Sequence, residues 1–212
     1  MLVVDPMDSI HAAMTLLRDT DLRSVVHRRL LAHAWRSPDT LVVDELGLLH
    51  GAARVDIAVI NGHIRGVELK ADADTLNRLP GQISAYGKVV DKATLITTER
   101  HVIGAMKLLP LWWGVVVATT SNKGVQFRRL RPERANFGVD PVALASLLWR
   151  SEVLAILTSL GCEKNFSRLS RKKLYEELAL ILPRRKMSAV VRAALKSRKN
   201  WRDLSLPLSC DG

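Results

Sequence analysis

The order of hydrophobic patterns predicts a mixed α/β fold: one sheet flanked by helices, with an all-helical region behind it. Three observations carry this reading. Strand-like runs, branched and apolar or alternating in period two, all end by Leu130. Segments with helical spacing precede the first of these runs and separate the later ones. From Asp140 onward only helical patterns remain.

Residues 21–35 read as an amphipathic helix. Leu22, Val25, Val26, Leu30 and Leu31 keep helical spacing between arginines, and Asp21 suits the N-terminal end. Residues 40–48, 54–60 and 64–70 read as three antiparallel strands, punctuated by Gly51 and Asn61-Gly62. Residues 79–90 form the next helix, with Pro80 in its first turn. A strand at 93–97, a helix at 99–109 ended by Pro110, and a strand at 113–119 follow. A turn at 121–124 leads into the last strand, 125–130. Asp140-Pro141 starts a helix that Gly161 stops, and two more helices at 171–182 and 188–198 are broken at Pro183. We place a boundary between a core, residues 1–136, and a helical basic region, residues 137–212.

Composition narrows the classes. Of 212 residues, 48% are hydrophobic and 25% charged, which excludes a disordered chain. The net charge of +11 favours a polyanionic partner such as nucleic acid or an anionic membrane. Two cysteines, Cys162 and Cys210, have no neighbours at metal-ligand spacing and read as free thiols in a reducing cytoplasm. No leader stands out, and no apolar run approaches the ~18 residues that span a bilayer. The expected location is cytoplasmic, with no membrane partner.

The three strands hold Asp56, Glu68 and Lys70. Glu68 and Lys70 are two apart, so their side chains share one face. If Asp56 lies opposite Glu68, Val55 meets Leu69 and Ile57 meets Val67, all apolar. A one-residue slip mixes charge with core. This register needs a three-residue connection, Asn61-Gly62-His63, against the stronger local signal of a two-residue Asn-Gly turn. On the first strand, Glu45 opposite Asp56 brings Leu46 to Val55 and Val42 to Val59; a slip would offer Asp44 instead. Two carboxylates and a lysine are what Mg²⁺- or Mn²⁺-assisted phosphodiester cleavage requires.

Val55-Asp56, a gap, then Glu68-Leu69-Lys70 resembles the signature of the PD-(D/E)XK nuclease superfamily. The helix Pro80-Gly81-Gln82-Ile83-Ser84-Ala85-Tyr86 resembles its glutamine-bearing helix. Within it, the stretch 21–113 is similar to an uncharacterised bacterial and phage family of restriction-endonuclease-like proteins. The resemblance implies a metal-dependent deoxyribonuclease that takes Mg²⁺ or Mn²⁺. Asp56, Glu68 and the Leu69 carbonyl would be metal ligands, with Glu45 as a further carboxylate. Lys70 would position or deprotonate the attacking water or offset charge in the transition state, and Gln82 would orient the site or touch the phosphate backbone. The first helix offers no inward acid beyond Asp21, a departure from many superfamily members.

Other residues have narrower expectations. Tyr86 reads as core packing, Trp112 and Trp113 as core or interface, and His50 and His63 as solvated turn residues. Asp72 and Asp74 suit a helix start. Arg78 is a candidate phosphate contact. Between Pro183 and Arg202 lie eight basic residues and no acid: Arg184, Arg185, Lys186, Arg192, Lys196, Arg198, Lys199 and Arg202. They surround an apolar stripe of Val190, Val191, Ala194 and Leu195 and read as a DNA-binding face. So small a chain is expected to recognise DNA structure or to rely on a targeting protein, and a homodimer is compatible with it. The second expectation is a non-catalytic nucleic-acid-binding adaptor on the same fold.

Overall fold

The computed structural model describes residues 17–122, 124–162 and 166–198. Six strands form one sheet in sequential order: β1 (Leu41–Leu48), β2 (Ala53–Ile60), β3 (Ile64–Lys70), β4 (Lys92–Thr98), β5 (Gly114–Ser121) and β6 (Gly124–Arg131). β1, β2 and β3 pair antiparallel, β3–β4 and β4–β5 parallel, and β5–β6 antiparallel. Parallel neighbours need crossovers. These are α3 (Leu79–Val89) and α4 (Glu99–Leu108). The mixed α/β sheet flanked by helices, with a helical C-terminal region, is the expected architecture.

The first helical segment is less regular than expected. α1 (Asp19–Val25) passes into a π-helical turn, Val26–Leu30, and restarts as α2 (Ala32–Arg36). The π turn brings His27 inward, where its Nε2 lies 3.0 Å from Asp44 and its Nδ1 accepts a hydrogen bond from the Trp35 indole. Behind the sheet, the single helix expected from Asp140 is two: α5 (Pro141–Ala145) and α6 (Arg150–Ser159). Asp140 caps α5 by accepting from the Ala143 amide, and Gly161 ends the α6 segment at φ +71°. α7 (Arg171–Ile181) and α8 (Arg184–Ser197) follow, α8 starting a turn earlier than expected, directly after Pro183.

Two apolar layers sandwich the sheet. On one face, α3, α4 and the helical region bury Tyr86, Trp113, Leu148, Leu178 and Val191 in one cluster. On the other, Leu22 and Val26 of the N-terminal helical segment cover Ile57, Val59, Val67 and Leu69. Residues from Asp140 onward thus share the larger core with the sheet. The intervening segment is pinned as well: the Asn136 amide donates to the Gly87 and Val90 carbonyls, both at 2.8 Å. Among the described residues no helix is long and apolar enough to cross a membrane.

The register is the one the hydrophobic pattern demanded. Ile57 pairs with Val67 and Ile60 with Ile64, leaving Asn61, Gly62 and His63 as the connection. One step further along, Asp56 is level with Glu68. Asp44 pairs with Ile57 and Leu46 with Val55, which puts Glu45 level with Asp56. The simple alternation of faces does not survive there. Val42 belongs to one layer but Leu46 and Leu48 to the other, and Val55 and Ile57 also lie in different layers. The switch sits at Glu45, whose φ is +59°, a conformation costly for a residue with a Cβ.

Candidate functional site

β1, β2, β3 and the first turns of α3 bring Glu45, Asp56, Glu68, Leu69, Lys70 and Gln82 to one cleft of about 960 Å³, with Arg78 at its rim. The centre is buried: Glu68 is 0% and Lys70 4% exposed. Lys70 Nζ donates to Glu68 Oε1 at 2.5 Å and to the Leu69 carbonyl at 3.2 Å. Gln82 Nε2 donates to the same Glu68 oxygen at 2.6 Å, and the Tyr86 hydroxyl to the other at 2.7 Å. Tyr86 reaches that point because β3 carries a glycine beneath its ring. A Cβ on Gly66 would stand 2.7 Å from Tyr86 Cε1.

Asp56 works differently. Its carboxylate accepts from the Leu69 amide at 2.8 Å. Arg23, reaching across from α1, donates to the Asp56 carbonyl at 2.7 Å and approaches its carboxylate at 3.8 Å. Arg23 also pairs with Glu45 at 2.8 Å and Asp19 at 3.6 Å. Glu45 takes a second cation, Arg54. Burial first, then the charge of Glu68, pushes Asp56 up to about 7, against the pull of the Leu69 amide, Arg23 and Lys70. Burial, with Glu68 and Asp56 adding to it, holds the Tyr86 phenol well above its usual range.

This donor set has the hard oxygens that Mg²⁺ or Mn²⁺ prefers, but their arrangement does not fit one. Both Glu68 oxygens are held by protein donors, the Leu69 carbonyl by Lys70, and Glu45 and Asp56 share Arg23. Among the described residues no three His, Cys, Asp or Glu side chains converge as a metal cage. The cation that the carboxylates face is the guanidinium of Arg23. Nothing in the sequence marked Arg23: its one local signal is Asp19 four residues earlier, and its other partners come from distant strands.

The remaining candidates divide. His50, at φ +59°, stacks on Tyr175 with centroids 5.6 Å apart, while exposed His63 only shapes its turn through Asn61. Asp72 and Asp74 start no helix. They accept from the Leu17 and Ala71 amides in the loop after β3, several residues before α3. Trp113 is core, its ring 5.0 Å from Tyr86. In the basic region, Arg184 spends its guanidinium on the Asn136 and Phe137 carbonyls. Lys196 reaches the Asp39 carbonyl, and Arg198 is clamped to Glu152. Arg185 and Lys186 are exposed and Arg192 half-buried, and these three make no hydrogen bond or ion pair among the described residues. Lys199 and Arg202 lie outside the described residues.

A family model described as Bacteriophage P4 protein cII matches residues 13–206. Protein cII of Enterobacteria phage P4 is 25% identical over 183 residues, 86% of this chain and 68% of that protein. No solved structure matches the chain. These matches overturn the expected membership of the PD-(D/E)XK nuclease superfamily and, with it, the assignment as a hydrolase that cuts DNA. The Asp56, Glu68 and Lys70 triplet misled because its spacing and register do resemble that signature, while its internal pairing is invisible in sequence. The chain belongs to the family of bacteriophage P4 protein cII.

Proposed function

We propose that this chain is a nucleic-acid-binding protein of the adaptor kind, which holds duplex DNA through α8 and acts by binding, not by cutting. The observation that carries this reading is the orientation of α8. Met187, Val191 and Leu195 are 0% exposed and anchor the helix in the core. Arg185, Lys186 and Arg192 then stand on a rigid support with no carboxylate among the described residues to neutralise them. Exposed Ala189 and Ala193 lie between them, small enough for close approach to a phosphate backbone. A surplus of +11 supplies the long-range attraction. A phage relative is in keeping with a DNA partner in the cytoplasm.

The cluster around Glu68 has a structural role in this reading. It locks β3 to α3 and α1 to β2, and so fixes the scaffold on which the helical region packs. Mg²⁺ or Mn²⁺ is not needed for binding.

The test is anisotropy of a labelled duplex titrated at several salt concentrations, with the products run on a gel after incubation with Mg²⁺ or Mn²⁺. Wild type is expected to bind and leave the DNA intact, and Arg185→Ala/Lys186→Ala/Arg192→Ala to bind weakly. Equal binding by the triple variant, or metal-dependent cutting lost in Asp56→Ala, overturns the proposal.

A further inference from the structure

We infer that an open groove past the end of β1 takes single-stranded nucleic acid, with Trp149 as the platform on which a base stacks. The inference rests on the nucleic-acid reading above and adds a second site with its own ligand.

Two clefts meet at the β1–β2 corner. One, of about 1030 Å³, lies between β1 and the helical region and is lined by Trp149, Arg171, Tyr175 and Arg198 among others. The other is the cleft of about 960 Å³ that holds Arg54, Arg78 and Gln82. Both include Glu45, Gly47 and Gly51 in their walls. The ridge between them is low because two of these residues are glycines, and a Cβ at either would meet nothing within 4 Å. The clefts therefore run together into a trough larger than a drug-sized ligand fills, which suits a polymer.

Trp149 is 56% exposed, an unusual position for so large an apolar side chain. It is also held still. Its amide donates to Glu152 at 2.7 Å, and the same carboxylate accepts from Arg198 at 2.6 and 2.8 Å. The Arg198 guanidinium lies 4.2 Å from the centre of the indole ring. A ring fixed before any ligand arrives loses little further entropy on stacking. Stacking of bases on aromatic side chains is tolerant of sequence and is a common device of single-strand binders. A paired base in a duplex already stacks on its neighbours and offers no such face.

The charges agree. Arg171 is exposed and makes no hydrogen bond or ion pair among the described residues. Arg78 is exposed at the far end of the trough. The acids along the wall are engaged within the protein: Glu45 with Arg23 and Arg54, Asp44 with His27, Glu68 with Lys70, Asp19 and Asp56 with Arg23, and Asp74 with the Ala71 amide. A phosphate backbone would thus meet an exposed cation at each end, Arg171 and Arg78.

The experiment follows intrinsic fluorescence while the full chain is titrated with oligo-dT or oligo-U, with anisotropy of a labelled duplex in parallel. Wild type is expected to show quenching with one or both oligomers, and their relative affinities tell DNA from RNA. Trp149→Ala is expected to weaken single-strand binding by about tenfold or more, with Trp149→Phe restoring most of it. Gly47→Glu, which places a charge in the trough without touching the fold, is expected to weaken it as well. Both variants should bind the duplex like wild type. Single-strand binding unchanged in both, or absent from wild type that still binds duplex, overturns the groove and leaves the function of α8 standing. Wild type that binds neither form overturns both.

Discussion

Around Glu68, charged and polar side chains pair with one another; along α8, Arg185, Lys186 and Arg192 pair with nothing among the described residues. Burial explains the difference. A carboxylate at 0% exposure costs several kcal/mol unless it is paired, so Glu68 survives only with Lys70, Gln82 and Tyr86 around it. An exposed guanidinium stays hydrated and needs no partner, and it remains available to a ligand. Charge in the first region holds the fold together. In the second it faces solvent, as the proposed contact with DNA requires.

If that contrast is right, changes in the first region alter stability and leave DNA affinity alone, and changes in the second do the reverse. The largest effect belongs to Lys70→Ala, which strands Glu68 in the core. Urea unfolding should show a loss of about 3–5 kcal/mol, with unchanged duplex affinity for the protein that remains folded. A loss below about 1 kcal/mol would mean that Gln82 and Tyr86 suffice for Glu68.

Arg184→Ala tests a cation that sits in the basic region but behaves like the first. Its two carbonyl bonds fasten the 136–137 segment, so the expected result is a loss of about 1–3 kcal/mol in the same urea measurement and little change in DNA affinity. Loss of affinity at full stability would move Arg184 into the binding face.

Asp56→Asn gives the pH test. In the folded chain the carboxyl is raised from its ordinary 3.8 to about 7. The folded state therefore binds the proton more tightly than the unfolded state. The stability this contributes is complete below about pH 3.8 and is lost as pH rises through about 7. Asn keeps an oxygen for the Leu69 amide without the charge. The stability difference between wild type and variant, followed by thermal melts from pH 4 to 8, should swing in favour of the variant as pH rises. Parallel curves would show that Asp56 titrates at its ordinary value.

The smallest effect on stability belongs to Arg185→Ala/Lys186→Ala/Arg192→Ala, within about 0.5 kcal/mol. Yet the slope of log affinity against log salt should flatten by about 3, close to one for each phosphate that the variant no longer neutralises. An unchanged slope would place the DNA elsewhere on the chain.

Much of the fold was legible because each strand carried its own pattern. β3 came out with the bounds expected of it, and the Asp56–Glu68 level followed from matching apolar pairs across a three-residue turn. The same local reasoning missed the π turn at Val26–Leu30 and the break between α5 and α6, because neither departs from helical hydrophobic spacing. It also could not see that Glu45 reverses the faces of β1. A single left-handed residue leaves no mark in a pattern of side-chain types.

The sequence by itself determined the α/β architecture, the strand register, the convergence of Asp56, Glu68, Lys70 and Gln82, and the excess of positive charge. These depend on periodicity and composition, which are local or additive. Only the tertiary structure decided which cations find partners: that Arg23 faces the carboxylates, that Arg184 and Arg198 are taken by the fold, and that Arg185, Lys186 and Arg192 have none among the described residues. Pairing depends on what approaches from distant parts of the chain, and no spacing along the sequence encodes it.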